Sequence, residues 1–281
     1  MERTNRGRQR VKLDNVLRHT LWRLAEHLWD IRKTVHDRTY VRSVDFTLAN
    51  GRRGTVKILL EPHMELFGEV DTPPGTAHNP HTFYMLVNPK TFLNVRNVYS
   101  LLFHEFMHLT DPTQSVAWND RYCKETYSAD ADETYYGHDI EFRAFVNEFL
   151  EGLVNAFADG VSRGTDGATL WRMNREILDH FNEGGALSSD TIDLLQGVGG
   201  FDGENRFKRE WRKFSYRFPF LKKLYWAGDA AAFLTYLYRI REFNPRRWPR
   251  FLTLLYAAHG EIETVIETPC DSGTKVQYRF L

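Results

Sequence analysis

Five consecutive residues of this 281-residue chain, His104-Glu105-Phe106-Met107-His108, carry donor groups at a spacing that suits a metal ion. Residues four apart on a helix share one face, so two imidazoles on successive turns can address a single ion. Neutral imidazole is a good ligand for Zn²⁺. Glu105 is rotated out of the ion's first shell, yet remains near enough to take a proton from a water held there. The spacing alone decides nothing, because a chain with 11 histidines meets this pattern by chance in roughly 3% of cases. The plain alternative is a pair of packed or solvated histidines. Context favours the metal. Val98, Leu101, Leu102, Phe106 and Leu109 recur at helical spacing from about Asn94, and Asp111-Pro112 stops the run because a residue before proline avoids helical geometry.

A catalytic zinc takes three protein ligands and keeps one position open. Glu141, in the stretch YYGHDIEFRAF, is the preferred third donor. It falls near a helix start and adjoins Phe142 and Phe145, where an acid is costly unless a cation pairs with it. His138 in the same turn is the alternative ligand or transition-state donor. Glu133 and Glu148 are further rivals. A Glu141 that only complements a helix N-terminus, where acids are common, is the ordinary reading.

The elements that must hold these groups follow from periodicity. A basic arm, residues 1–12, precedes an amphipathic helix from Asp14 to about His36 with apolar positions at Val16, Leu17, Leu21, Leu24, Leu28, Ile31 and Val35. Two strand-like runs, Ser43–Leu48 and Thr55–Leu60, flank Asn50-Gly51 as a hairpin. Thr82–Val87, TFYMLV, reads as a strand at the sheet edge, along which an extended peptide is laid beside the metal. A helix is predicted from Asp139 to about Ala158, then helices over Ala168–Phe181, Ser188–Leu195 and within Asn205–Phe243. The tail Glu263–Phe280 has room for one or two short strands. The glycine-rich stretch Asp159–Asp166 is the best division point, giving a catalytic region over 13–159 and a mainly helical region over 160–281.

HEFMHLTDP followed by YYGHDIEFRAF resembles the zincin metallopeptidases of the gluzincin type, and locally the lethal-factor-like group. The resemblance covers roughly Thr82–Leu150. In that group an acid also follows the second histidine by three residues, here Asp111, and a tyrosine and a glycine precede the ligand glutamate, here Tyr135 or Tyr136 and Gly137. Two departures stand out: His108 and Glu141 are only 33 positions apart, and Phe145 occupies a place where the group often has a second acid. No glycine or third histidine follows His108 at metzincin spacing. The resemblance implies an α+β fold, with a small mixed sheet beside an HExxH active-site helix and a mainly helical C-terminal part. It implies a zinc-dependent peptidase acting on a peptide or protein, with His104, His108 and Glu141 as ligands and Glu105 as general base. Tyr135 or Tyr136 would donate to the developing oxyanion. Asp111 would orient a ligand histidine from behind.

Composition sets the outer limits. Lys plus Arg and Asp plus Glu are 37 each, which excludes a uniformly basic nucleic-acid wrapper. Residues 206–250 are the exception, with thirteen basic side chains against three acidic and interleaved Trp211, Tyr216, Trp226, Tyr238 and Trp248. That segment is either a solvated helical face or a surface for nucleic acid or an acidic partner. It carries the alternative reading, a non-catalytic nucleic-acid- or virion-associated protein with a structural metal. Two cysteines, Cys123 and Cys270, imply no disulfide framework. No apolar run nears the ~20 residues that cross a bilayer, and the N-terminus lacks the apolar core of a signal peptide. An intracellular protein with no membrane partner is expected. His78 and His81 flank Asn-Pro before the strand and could line the cleft, though loop histidines are commonplace, and His19 and His27 lie on the first helix without carboxylate or cysteine companions.

Overall fold

The computed structural model describes residues 13–48, 51–64, 68–71, 82–92, 94–110, 139–196, 198, 241 and 246–268. The fold is mixed α+β. In chain order the described elements are α1 (Asn15–Ile31), β1 (Thr39–Thr47), β2 (Arg53–Leu60), β3 (Gly68–Asp71), β4 (Thr82–Val87), a 3₁₀ turn (Pro89–Thr91), α2 (Val95–Thr110), α3 (Asp139–Ser162), α4 (Gly167–Glu183), α5 (Ser189–Gln196) and α6 (Trp248–Glu267). Compact packing divides the chain between Asn147 and Glu148, part-way along α3.

The first unit is a four-stranded sheet in the order β1-β2-β4-β3. β1 and β2 form the antiparallel hairpin expected around Gly51, which takes a φ of +81° that glycine alone adopts freely. β2 and β4 run parallel, and β3 closes the sheet antiparallel to β4. Strand alternation sends Val56, Ile58 and Leu60 of β2 and Phe83, Met85 and Val87 of β4 to one fully buried face. There they meet Leu17, Leu21, Leu24 and Leu28 of α1 and Val98, Leu102, Phe103 and Phe106 of α2 in one core. Ring contacts tie the layers together, Trp22 to Tyr99 at 5.5 Å and Phe46 edge-on to Phe106 at 5.5 Å. Asp14 caps α1 by accepting from the Leu17 N–H at 2.9 Å, and Asn94 does the same for α2 through the Asn97 N–H.

Three sequence expectations need correction. Thr82–Val87 is an interior strand, paired on both sides, and the edge beside α2 is β3. The first helix ends at Ile31, five residues before His36, where the Thr34 N–H turns back to the Ile31 carbonyl at 2.9 Å. Residues 263–267 are helical, because Ile262 and Val265 extend the buried stripe of α6 begun by Phe251, Leu254, Leu255 and Ala258. Thr268 caps that helix in an extended conformation, and the tail beyond it, with the helices expected within Asn205–Phe243 apart from Arg241, lies outside the described residues.

The second unit contains the remainder of α3 with α4, α5 and α6. Its aromatic centre joins Phe149, Phe181, Trp248 and Phe251, with Phe181 edge-on to Phe251 at 5.3 Å. Gly184 ends α4 in the left-handed region at φ +79° and donates its N–H to the His180 carbonyl at 2.9 Å. No described helix is long and apolar enough to cross a membrane.

Candidate metal site

α2 sets out the site because one of its faces must be apolar. Val98, Leu102 and Phe106 fill the core, and the same helix places His104 and His108 one turn apart. The two imidazole rings lie with centroids 4.9 Å apart and planes at 81°. His104 is 5% exposed and Glu105 6% exposed, while His108 is half-buried at the margin. An acid so deep in a helix face needs a polar or cationic neighbour to offset its lost hydration.

Two further elements close on this face. Gly68, the first residue of β3, sits so near that a Cβ built on it would be 3.4 Å from Glu105 Oε1. From α3, the half-buried ring of Phe145 packs against His104 at 4.1 Å and 57°. Glu141 lies in the first turn of α3, and a position four ahead of Phe145 shares its helical face.

The Glu141 side chain, together with Asp111, Glu133, Tyr135, Tyr136 and His138, lies outside the described residues. So do His78, His81 and nearly all of the basic segment 206–250. Among the described residues, no group of three or more His, Cys, Asp or Glu side chains is arranged to hold a metal ion. His19 and His27 are exposed on α1, away from the core face. Sequence reasoning did not find Gly68 or β3, whose four residues are too few to show a period. It noted Phe145 as an apolar neighbour of Glu141 and as a departure from the resembled pattern, not as the ring that packs on His104.

The donor chemistry present suits zinc. Two neighbouring imidazoles on one rigid helix are nitrogen donors of a kind Zn²⁺ accepts, two of the three protein ligands that a catalytic zinc takes. No known protein family matches the chain, and neither a curated protein nor a solved structure matches it.

Proposed function

We propose that this protein is a zinc-dependent metallopeptidase of zincin type, hydrolysing peptide bonds in a peptide or protein substrate. The observation that carries the reading is the pairing of the His104 and His108 rings at 4.9 Å beside a Glu105 that is almost wholly buried against a sheet edge. His104 and His108 would hold the metal, with Glu141 as third ligand. Bound zinc supplies Lewis acidity, bringing the pKa of water toward neutrality and polarising a carbonyl. Glu105 would take the proton of the attacking water and later pass it to the leaving amine. Tyr135 or Tyr136, or His138, would donate a hydrogen bond to the oxyanion as it forms. Among the described residues β3 is the outer strand of the sheet, and its Gly68 lies beside Glu105, a place where an extended peptide can add as a further strand.

Metal content and hydrolysis of a mixed fluorogenic peptide library, measured together, test this. Glu105→Gln is expected to keep one equivalent of zinc and to lose hydrolysis by about 10²-fold or more. His104→Ala, His108→Ala and Glu141→Ala are each expected to lose the metal as well. Full zinc in Glu141→Ala would move the third ligand elsewhere. Zinc retained with no cleavage by the wild type, and no effect of Glu105→Gln, would fit a structural metal.

A further inference from the structure

We infer that Gly68 is a positioning residue for Glu105: the edge strand can seat against this carboxylate because position 68 has no side chain. The inference rests on reading Glu105 as the general base. Gly68 pairs with Val87 of β4, so its backbone is fixed by the sheet. It does not occupy the left-handed region, so conformational freedom does not explain a glycine here. Space does. A Cβ would lie 3.1 Å from Leu101 Cδ1, 3.4 Å from Glu105 Oε1 and 3.4 Å from the Leu86 carbonyl oxygen.

These three neighbours differ in how they yield. Leu101 Cδ1 ends a flexible, partly buried side chain and can rotate away. The Leu86 oxygen belongs to the main chain of an interior strand and cannot move alone. Glu105 is 6% exposed and has little free volume to enter. An alanine at 68 is therefore absorbed mostly by Leu101, whereas the added methyls of valine must displace either the strand or the carboxylate. Either movement shifts Glu105 relative to the imidazoles of His104, one residue before it, and His108, three residues after it. A general base acts only within hydrogen-bond reach of its proton, and small displacements cost large factors in rate. The glycine thus does two things: it brings β3 close enough to shield one side of Glu105 from water, and it leaves the carboxylate undisturbed.

Calorimetric titration of the full chain with zinc, then with acetohydroxamic acid, tests this. The hydroxamate is a probe that binds a metal while giving its proton to a neighbouring base. Gly68→Val is expected to bind zinc as the wild type does and to lose hydroxamate affinity by about tenfold or more. In a Glu105→Gln background the same substitution is expected to cause no further loss. Adding Leu101→Ala to Gly68→Val is expected to restore thermal stability but not hydroxamate affinity, which separates positioning from packing. If Gly68→Val does not fold, Gly68→Ser, whose side chain reaches beyond the Cβ, carries the same comparison, with Gly68→Ala as the control expected to bind hydroxamate as the wild type does. A zinc-loaded Gly68→Val or Gly68→Ser variant that binds hydroxamate like the wild type overturns the inference and leaves the metal reading intact. A wild type that takes up no zinc ends the metal reading, and the role of Gly68 with it.

Discussion

Phe145 has no hydrogen-bonding group, so what it does for His104 it does by shape. Its ring, 4.1 Å away and half-buried, restricts the rotamers open to the imidazole before any ligand arrives. Residues that orient a metal-binding histidine from behind typically change affinity by about 10–100-fold when removed. Phe145→Ala is expected to weaken zinc binding toward the lower end of that range, and Phe145→Leu, which keeps most of the volume, to weaken it less. Competition against a chromophoric chelator reads both. Equal affinity in wild type and Phe145→Ala would make the ring contact incidental packing. The same measurement on Glu105→Gln separates roles within the turn, since that side chain is assigned to proton transfer and not to ligation.

Elements show why some of this was legible in the sequence and some was not. α1 and α2 announce themselves because each must bury one stripe, Leu17 to Leu28 in one and Val98 to Phe106 in the other, at the helical period. The hairpin is legible through Asn50-Gly51. The interior place of β4 was legible too, though misread: TFYMLV is apolar nearly throughout, with Phe83, Met85 and Val87 fully buried and Tyr84 and Leu86 half-buried, as a strand covered on both edges tends to be. Thr264, Val265 and Ile266 suggest a strand by local preference, but the buried positions Ile262 and Val265 continue the stripe of α6, and tertiary contact prevails over propensity. Whether Glu141 meets the two histidines cannot be read from spacing, because that depends on tertiary placement and not on the period of either helix. Close approach is equally invisible in sequence, and two helical glycines make the point testable. A Cβ on Gly152 would collide with the Val198 main-chain carbonyl oxygen, whereas one on Gly260 would meet nothing within 4 Å. Helix preference favours alanine over glycine at both by up to about 1 kcal/mol. Gly260→Ala is therefore expected to stabilise by about 0.5–1 kcal/mol, while Gly152→Ala is expected to destabilise by about 1–3 kcal/mol because a backbone carbonyl cannot rotate away. Urea titrations of the two variants settle the signs, and a stabilised Gly152→Ala would show that Val198 does not hold that position.

At the scale of the whole molecule, a chain with zero net charge at neutral pH gains general repulsion as its carboxylates are protonated, and particular groups add their own acid sensitivity. Two of them sit a turn apart on α4. Burial pushes the Glu176 carboxyl up, but hydrogen bonds outweigh it: Ser188 donates through its hydroxyl at 2.6 Å and its N–H at 3.1 Å, and Thr191 and Arg172 donate as well, holding the group at about 2 against an ordinary 4.5. Ser188 in turn accepts from the Thr191 N–H, so this one carboxylate anchors the start of α5 to α4. Burial pushes the His180 imidazole down from 6.5, partly offset by its contact with the Gly185 carbonyl at 2.6 Å. A carbonyl only accepts, so Nδ1 carries a proton, and burial favours the neutral form of the ring. Both folded-state values are depressed, so both groups contribute stability that is present at high pH and lost on acidification. For His180 the loss begins as the pH falls below 6.5 and continues through its lowered folded value. For Glu176 it runs from 4.5 down through about 2. Denaturant unfolding followed across this range is expected to show stability falling in both windows. Glu176→Gln is expected to be less stable than wild type at pH 7, with the gap narrowing steadily between pH 4.5 and 2, and His180→Gln to flatten the slope just below pH 6.5 only. A gap between wild type and Glu176→Gln that stays constant from pH 7 to below 2 would mean that the carboxylate's charge contributes nothing to the hold of α5 on α4.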